Sequence, residues 1–284
     1  MSKISLVLEG GGMRGAYTAG ALAWLIDNNV EFDYSVGISS GAVHLCSYLL
    51  KNKEYLHAVG VDYMSDKNMV GARPLLREGT YVGYKYVFDH SMKECIKYDV
   101  NPLIESKPNM EFGVYDLDQG RTIFFGPEEL NNDLLSLRAA CTLPIAGNPV
   151  KYKNMLLMDG GITTMVPIER AIEKGYDKHI VITTKPYGYV RKPGGAGMNL
   201  LMRLAFPRYR CVERDYAVRH INYNKQMAIV DQLVEEGKAI SIRPTITIPV
   251  KRFSGDPENL QKLYELGYAN MEARRDDIMA FMKD

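Results

Sequence analysis

The sequence predicts an α/β fold with a parallel sheet. A strand, a glycine-rich turn and a helix follow one another twice within the first fifty residues. The first unit has a strand at Lys3–Leu8 and a helix from about Met13 to Asn28, and the second has a strand at Phe32–Val36 and a helix at about Ala42–Leu50. Strands that alternate with helices in this way typically form a parallel sheet covered by helices.

Further strands and helices follow along the chain. Strands are predicted at Glu111–Tyr115, Thr122–Phe125, Met155–Met158, His179–Thr184 and near Ile240–Ile242, and helices from Pro127 toward Ala140 and from Pro167 to near Gly175. Proline favours the first turn of a helix, which supports both helix starts. We expect one domain over residues 1–284, with the motifs in a core at about 3–185 and a mainly helical part at about 198–284.

Composition excludes several classes of protein. The 284 residues carry 35 Lys and Arg against 34 Asp and Glu, whereas nucleic-acid binding calls for a basic excess, so no nucleic-acid partner is expected. Cys46, Cys95, Cys141 and Cys211 form no CxxC pair, which argues against a disulfide framework or a zinc site. Glu9 interrupts the first apolar run, and no run has the roughly 18–20 apolar residues of a membrane span. A cytoplasmic protein is expected.

A glycine-rich loop follows the first predicted strand. Residues Gly10–Gly15 match the pattern GxGxxG, and backbone N–H groups at a helix start favour an anion. A dinucleotide site also calls for an acidic residue at the end of the second strand, but that strand ends in Val36 and Gly37. The loop alone leaves open an anion site, a nucleotide site and a purely structural turn.

The second motif has the pattern GxSxG. Residues Gly37–Gly41 place Ser39 between a predicted strand and a predicted helix, which is the context of a nucleophile elbow. The flanking glycines leave room for a strained serine, and the helix start behind it offers N–H groups to developing negative charge. A glycine-bounded turn with an incidental serine is the alternative.

A serine nucleophile requires a base, and histidine is the usual one. None of the five histidines has a suitable context: His44 lies on the elbow helix, His179 begins a strand and His220 lies in a helical segment. We interpret these, like His57 and His90, as core or surface residues.

The third motif is Asp159-Gly160-Gly161, directly after the predicted strand Met155–Met158. A carboxylate at the carboxyl end of a strand lies at the edge where α/β sheets place their sites. An ordinary Asp-Gly turn is the alternative.

The three motifs, in this order, resemble those of the patatin-like phospholipases. Further similarity lies in Arg138–Ile145, in Arg219–Asn224 and in Leu263–Tyr268, so the resemblance covers nearly the whole chain. The third motif ends in Gly161 where plant members carry Ala, a change that bacterial members tolerate. The resemblance implies a three-layer α/β/α sandwich that needs no metal, no cofactor and no histidine.

The resemblance also assigns the site residues. They are Ser39 as nucleophile and Asp159 as proton acceptor; Gly10, Gly11, Gly12, Met13, Arg14 and Gly15 around the oxyanion hole, with the amides of Gly11, Gly12 and Met13 as its donors; Gly37 and Gly41 in the elbow; and Gly160 and Gly161 beside the acid. Arg14 would add positive charge near a lipid phosphate or the oxyanion. A free Asp is a weak base at pH 7, so either burial raises its pKa or orientation and the oxyanion hole activate the serine.

The implied function is hydrolysis of lipid esters, of the phospholipase A or lysophospholipase type, through an acyl-enzyme. The alternatives are a carboxylesterase or acyltransferase acting on other esters, and a non-catalytic protein that binds an anion or nucleotide. Residues 185–210 mix basic and apolar side chains, which suits an anionic membrane surface as well as an amphipathic helix packed on the core. The segment from Tyr55 to Tyr98 is a candidate lining for an acyl channel because of its place between the motifs.

Overall fold

The computed structural model describes residues 3–283, except for the side chain at position 196, so the ends of the predicted 1–284 domain lie outside the described residues. Within this range eight strands form one sheet. They are β1 (Ile4–Leu8), β2 (Tyr34–Ile38), β3 (Met110–Asp116), β4 (Arg121–Phe125), β5 (Val150–Tyr152), β6 (Met155–Asp159), β7 (Lys178–Ile182) and β8 (Ala239–Ile242). The order is β5-β6-β3-β2-β1-β7-β8, and β4 also pairs with β3.

Helices cover this sheet. The α-helices are α1 (Gly15–Asp27), α2 (Ser40–Leu49), α3 (Lys53–His57), α4 (Ala72–Glu78), α5 (Asn101–Ser106), α6 (Leu135–Cys141), α7 (Ile168–Glu173), α8 (Ala196–Ala205), α9 (Arg210–Ala217), α10 (Arg219–Glu235), α11 (Pro257–Glu272) and α12 (Arg275–Phe281). Single 3-10 turns occur at Gly12–Arg14, Pro127–Glu129 and Gly160–Ile162, and π-helical turns at Ala58–Asp62 and Tyr86–Cys95.

The side chains of the central strands alternate between two hydrophobic cores. On β1, Leu6 and Leu8 join a core that includes residues of α1, α2 and α11. Val7, between them, joins a second core that includes residues of α7 and α10. A strand buried on both faces reads as a continuous apolar run, as β1 does. The predicted α/β fold, with a sheet between two layers of helices, is confirmed.

The sheet is parallel at its centre and antiparallel at one side. β1 pairs in parallel with β2 and β7, β2 with β3, and β7 with β8. The pairs of β3 with β4, β3 with β6, and β5 with β6 are antiparallel. The mainly parallel sheet expected from the sequence is thus present, with an antiparallel extension beyond β3.

Two segments differ from the sequence-based predictions. The helix predicted from Pro127 toward Ala140 is a 3-10 turn followed by a separate α6. It breaks because Leu134 has a positive φ of 56°, and the side chains of Asn131 and Asp133 accept hydrogen bonds from the N–H of Leu135 instead of allowing the helix to continue. β5, which pairs with β6 at the sheet edge, was not predicted, since it is only three residues long.

Helices α1 and α11 cross with their backbones almost touching. A Cβ atom on Gly20 would lie 1.8 Å from the Tyr264 carbonyl oxygen, and one on Gly267 would lie 2.0 Å from the Tyr17 carbonyl oxygen. Only glycine fits at both positions. This contact fixes α11 against α1, the helix that follows the glycine-rich loop.

The crossing yields a stability prediction. Gly20→Ala should lower the free energy of unfolding by about 1–3 kcal/mol, because the helices must separate to admit the methyl group, even though alanine is the better helix former by about 1 kcal/mol. Gly197→Ala on α8, where nothing lies within 4 Å, is the matched control and should be neutral or slightly stabilising. Urea unfolding measures both, and equal stability of the two variants would contradict the close crossing.

Candidate active site

Ser39 occupies a strained turn between β2 and α2. Its backbone angles are φ 55° and ψ −127°, a region that non-glycine residues rarely adopt and that is often found at functional sites. The flanking glycines are required by close approach: a Cβ on Gly37 would lie 2.6 Å from the Gly41 carbonyl oxygen, and one on Gly41 would lie 2.9 Å from the Glu9 carbonyl oxygen. The turn therefore has the geometry of a nucleophile elbow.

The register of β3 brings Asp159 next to this turn. β4 pairs with β3 along Phe112–Asp116, so β2 and β6 must share its opposite edge. β2 ends with Ile38 opposite Gly113, and β6 ends with Asp159 opposite Val114. Because β2 and β6 run toward each other along that edge, the residue after Ile38 and the last residue of β6 meet.

The Asp159 carboxylate is buried and only partly satisfied. Its Oδ1 accepts a hydrogen bond from the N–H of Gly161 at 2.7 Å, while Oδ2 has no hydrogen bond of normal geometry among the described residues. Burial raises the pKa of this carboxyl above its usual value, and the Ser39 hydroxyl, the Gly161 amide and the charges of Arg219 and Arg252 oppose the rise in part. The sequence left open whether burial raises the pKa of Asp159, and the direction of this shift favours that possibility.

The two glycines after Asp159 are explained by their surroundings. A Cβ on Gly160 would lie 2.8 Å from the Gly113 carbonyl group, and one on Gly161 would lie 2.9 Å from Asp159 Oδ1. The carbonyl of Gly161 accepts a hydrogen bond from Arg219 Nε at 2.5 Å.

Most amides of the glycine-rich loop already have acceptors. The N–H of Gly10 donates to the Met165 carbonyl at 3.2 Å, that of Gly11 to Ser40 Oγ at 3.0 Å, and that of Met13 to the Arg252 carbonyl at 3.1 Å. Gly12, with a positive φ of 59°, has no acceptor for its amide among the described residues.

Arg14 and Gly15, which complete the glycine-rich loop, lie in different surroundings. Arg14 follows with its Nε buried and unpaired. A Cβ on Gly15 would lie 2.8 Å from His44 Nε2 and 2.9 Å from Ser40 Oγ, so this glycine lets α1 pack against α2.

An apolar cavity opens beside Ser39. It encloses about 640 Å³ of space between atoms, part of which is open solvent. Residues from the segment between Tyr55 and Tyr98 form much of its wall: Val59, Gly60, Met64, Met69, Val82, Tyr84, Val87 and Phe88. The remaining wall includes Gly12, His44 and Arg252.

The contacts of the five histidines bear on which side chain could act as a base. Among the described residues no histidine makes a hydrogen bond to Ser39 or Asp159. His44 lines the cavity, and burial lowers its pKa to about 4, so it is neutral at pH 7. His179 Nδ1 is hydrogen-bonded to Ser5 Oγ at 2.8 Å, while the half-buried His57 and the exposed His90 face Asp62 and Glu94. His220 Nδ1 lies 3.2 Å from the Ala217 carbonyl.

Metal binding, disulfide bonding and membrane spanning each require a recognisable group of residues. Residues 3–283 contain no group of three or more His, Cys, Asp or Glu side chains placed to hold a metal ion, and all four cysteines are free thiols. In the same range no helix has the length and apolar character needed to cross a bilayer.

Sequence patterns missed two charged residues at this site, Arg219 and Arg252. Arg219 begins α10, and Arg252 lies in the loop between β8 and α11. Arg252 belongs to no motif, and Arg219 begins a stretch of family similarity to which no role was assigned. Only the packing of the C-terminal part against the sheet brings them to Asp159.

Comparisons with known proteins agree with this architecture. VipD from Legionella pneumophila, a crystal structure, superposes with a TM-score of 0.51 at 12 % identity, over 97 % of this chain and 67 % of VipD. Similarity at that level shows the fold alone.

Two curated proteins are similar in sequence. An uncharacterized protein of Escherichia coli, YjjU, is 26 % identical over 65 % of this chain and 52 % of its own length. A probable lipid hydrolase of Invertebrate iridescent virus 6 is 25 % identical over 60 % of this chain and 63 % of its own length. The matches thus span about half to two thirds of these relatives.

Two family models match the chain. One, for a domain of unknown function (DUF6363), matches residues 209–283, the part that supplies Arg219 and Arg252. The other, described as patatin-like phospholipase, matches residues 6–172, more than half of the chain and all three motifs. The chain therefore belongs to the patatin-like phospholipase family.

Proposed function

We propose that this protein is a serine lipid acyl hydrolase in which Ser39 is the nucleophile and Asp159 the base. The observation that carries the proposal is the shared edge of β3, along which a strained serine meets a buried carboxylate of raised pKa. Family membership supports the reaction class, and the viral relative named as a probable lipid hydrolase supports lipid esters.

In the proposed reaction, Ser39 Oγ forms a bond to the acyl carbonyl carbon as its proton passes to Asp159. The carbonyl oxygen becomes an oxyanion. When the tetrahedral intermediate collapses, the carbon–oxygen bond to the alcohol breaks, and the alcohol takes the proton from Asp159. Water then attacks the acyl-enzyme by the same sequence and releases the fatty acid, which restores Ser39 and Asp159.

The oxyanion is stabilised by the unpaired amide of Gly12 and by the N-terminus of α2. Donors that are fixed before the reaction and need no reorganisation are the most effective. The amides of Gly11 and Met13 would have to give up their present acceptors before they could contribute. The oxyanion hole is therefore centred on the amide of Gly12, within the loop Gly10–Gly15.

The acyl chain occupies the apolar cavity beside Ser39. Valine, methionine and aromatic side chains form most of its wall, and these apolar groups suit an acyl chain. Arg252 also lines the cavity and carries a charge. This supports the expectation that the segment between Tyr55 and Tyr98 lines an acyl channel, and it favours long-chain esters over short ones.

The nucleophile can be tested by covalent labelling. A fluorophosphonate should modify wild-type protein at Ser39, as located by mass spectrometry of the labelled peptide, and Ser39→Ala should remain unlabelled. Ser106→Ala on the exposed helix α5 is the matched control and should label as wild type does. Failure of the folded wild-type protein to label would favour a non-catalytic anion-binding protein.

The base can be tested through stability as well as rate. A carboxyl whose pKa is higher in the folded than in the unfolded chain lowers the stability of the fold at pH values above both pKa values, and this cost disappears as the pH falls below both. Asp159→Asn should therefore be more stable than wild type at pH 7, with a difference that shrinks toward pH 4. Ester hydrolysis should fall by roughly 100- to 10,000-fold.

Urea unfolding at the two pH values, together with turnover of a soluble ester, measures both effects. Lower stability of Asp159→Asn at pH 7, or turnover close to that of wild type, would contradict the proposed role of this carboxyl.

We also propose that α8 and the loop after it contact a membrane surface. Met202 and Phe206 are buried in a small third core, while Leu200, Leu201 and Leu204 are exposed. The helix is thus both anchored on the protein and apolar toward solvent. Exposed arginines at positions 203, 208 and 210 lie beside these leucines, and basic residues next to apolar ones favour an anionic bilayer surface.

Neutralising these arginines should weaken binding to anionic vesicles. Each cation near such a surface contributes about 1 kcal/mol, so Arg203→Gln, Arg208→Gln and Arg210→Gln together should reduce the vesicle partition coefficient by up to roughly a hundredfold. Hydrolysis of a soluble ester should be retained. A control variant that removes three exposed lysines elsewhere, Lys107, Lys151 and Lys262, should lose much less, and equal co-sedimentation of both variants would contradict the proposal.

A further inference from the structure

Five cationic side chains from separate parts of the chain act on one another, and two of them, Arg219 and Arg252, also act on Asp159. We call them the cationic cluster: Arg14, Lys185, Arg191, Arg219 and Arg252. Arg252 is the member common to all these interactions, since its charge acts on each of the other four and on Asp159. It also lines the cavity that contains Ser39.

The cluster has almost no negative charge to balance it. Among the described residues none of its five members has a carboxylate oxygen within 4 Å. The acidic groups that act on it are Glu9 and Asp159. Glu9 is itself engaged, because its carboxylate accepts hydrogen bonds from the N–H and the hydroxyl of Thr184.

Two N–H donors of the cluster, on Arg219 and Arg14, are buried without an acceptor. Arg219 is 5 % exposed; its Nε donates to the Gly161 carbonyl, but its Nη1 has no partner, and neither has Arg14 Nε. Unpaired buried charges are costly. The cost shows in the pKa of Arg219, which burial and the charges of Arg252 and Arg191 lower to about 9, and in that of Lys185, which burial and Arg14 lower to about 7.

Aromatic rings hold three of the cations in place. Lys185 Nζ lies 5.3 Å from the ring centroid of Tyr189, and the guanidinium carbons of Arg191 and Arg219 lie 5.7 Å and 5.4 Å from the rings of Tyr223 and Tyr216. Cation–π contacts of this kind orient a cation but leave its N–H donors available to a ligand. The cluster is thus preorganised and still able to bind an anion.

We infer that the cationic cluster binds a phosphate group carried by the substrate, so that the enzyme acts on acyl esters whose head group is a phosphate monoester. This inference rests on the proposed function and deepens it. A phosphate monoester brings nearly two negative charges and three acceptor oxygens at pH 7, and guanidinium groups match it with paired hydrogen bonds. A zwitterionic head group would bring an additional positive charge toward a cluster that is already cationic, and a neutral ester would leave the buried donors unpaired.

The binding step can be tested apart from catalysis. Ser39→Ala protein is titrated with inorganic phosphate, glycerol phosphate and glycerol, with heat as the readout. Saturable binding of both phosphates and none of glycerol is expected, and introducing Arg191→Gln or Arg252→Gln into the same protein should weaken phosphate binding at least tenfold. The control Arg121→Gln removes an exposed arginine on β4, outside the cluster, and should bind as the parent does. Absence of phosphate binding would overturn the inference.

The second arm separates a lipid head group from free phosphate. Wild-type enzyme is given a lysophosphatidic acid and the monoacylglycerol with the same acyl chain in neutral detergent micelles. The expected ratio of kcat/KM is at least tenfold in favour of the phosphate ester, and Arg191→Gln should reduce that ratio at least tenfold, whereas Arg121→Gln should keep it. Equal kcat/KM for the two esters, even with binding of free phosphate, would overturn the head-group assignment and leave ester hydrolysis intact.

Failure of the proposed function gives a different result. In that case neither ester is turned over and Ser39 takes no label. Phosphate binding alone would then also overturn the assignment of the phosphate to a substrate.

Discussion

The edge of β3 opposite β4 is the constraint on which the site depends. β2 pairs with one part of that edge in parallel, and β6 pairs with the next part antiparallel. The carboxyl ends of the two strands therefore meet. Backbone hydrogen bonds fix this register, and a shift by one residue would turn Asp159 to the other face of the sheet. Ser39 and Asp159, which are far apart in sequence, thus become neighbours through the pairing of their strands with β3.

Around that meeting point the chain tolerates a carboxylate that water does not solvate and a serine in a rarely populated backbone conformation. Both features cost free energy locally, and the surrounding structure holds them in place. The sheet fixes the strand ends. Glycines at positions 37, 41, 160 and 161 admit neighbouring backbone or carboxylate atoms that a side chain would exclude. Such strain is typical of sites where a reactive group is held ready. Glycine occurs at these positions in the sequence because neighbouring atoms approach too closely for any side chain.

Much of the fold was predictable because its signals are local. Apolar runs ended by glycines predicted β1, β2 and β6, and each of the three motifs lies at the strand end where it was expected. The failures have physical reasons. The break in the helix after Pro127 depends on the positive φ of Leu134, which no residue preference announces. Arg219 and Arg252 reach the site only through packing of distant helices, and the cavity wall from Val59 to Phe88 includes π-helical turns that hydrophobic periodicity does not reveal.

The crossing of α1 and α11 has a consequence for how this protein can change. α1 lies within the region matched by the patatin-like phospholipase model. α11, which packs closely against α1 at Gly20 and Gly267, lies within the region matched by the second model. The two regions share one backbone interface and several charges, so neither can be exchanged for a relative's version in isolation. Chimeras divided between residues 172 and 209 would pair mismatched surfaces, and substitutions on the two sides of that interface should co-evolve.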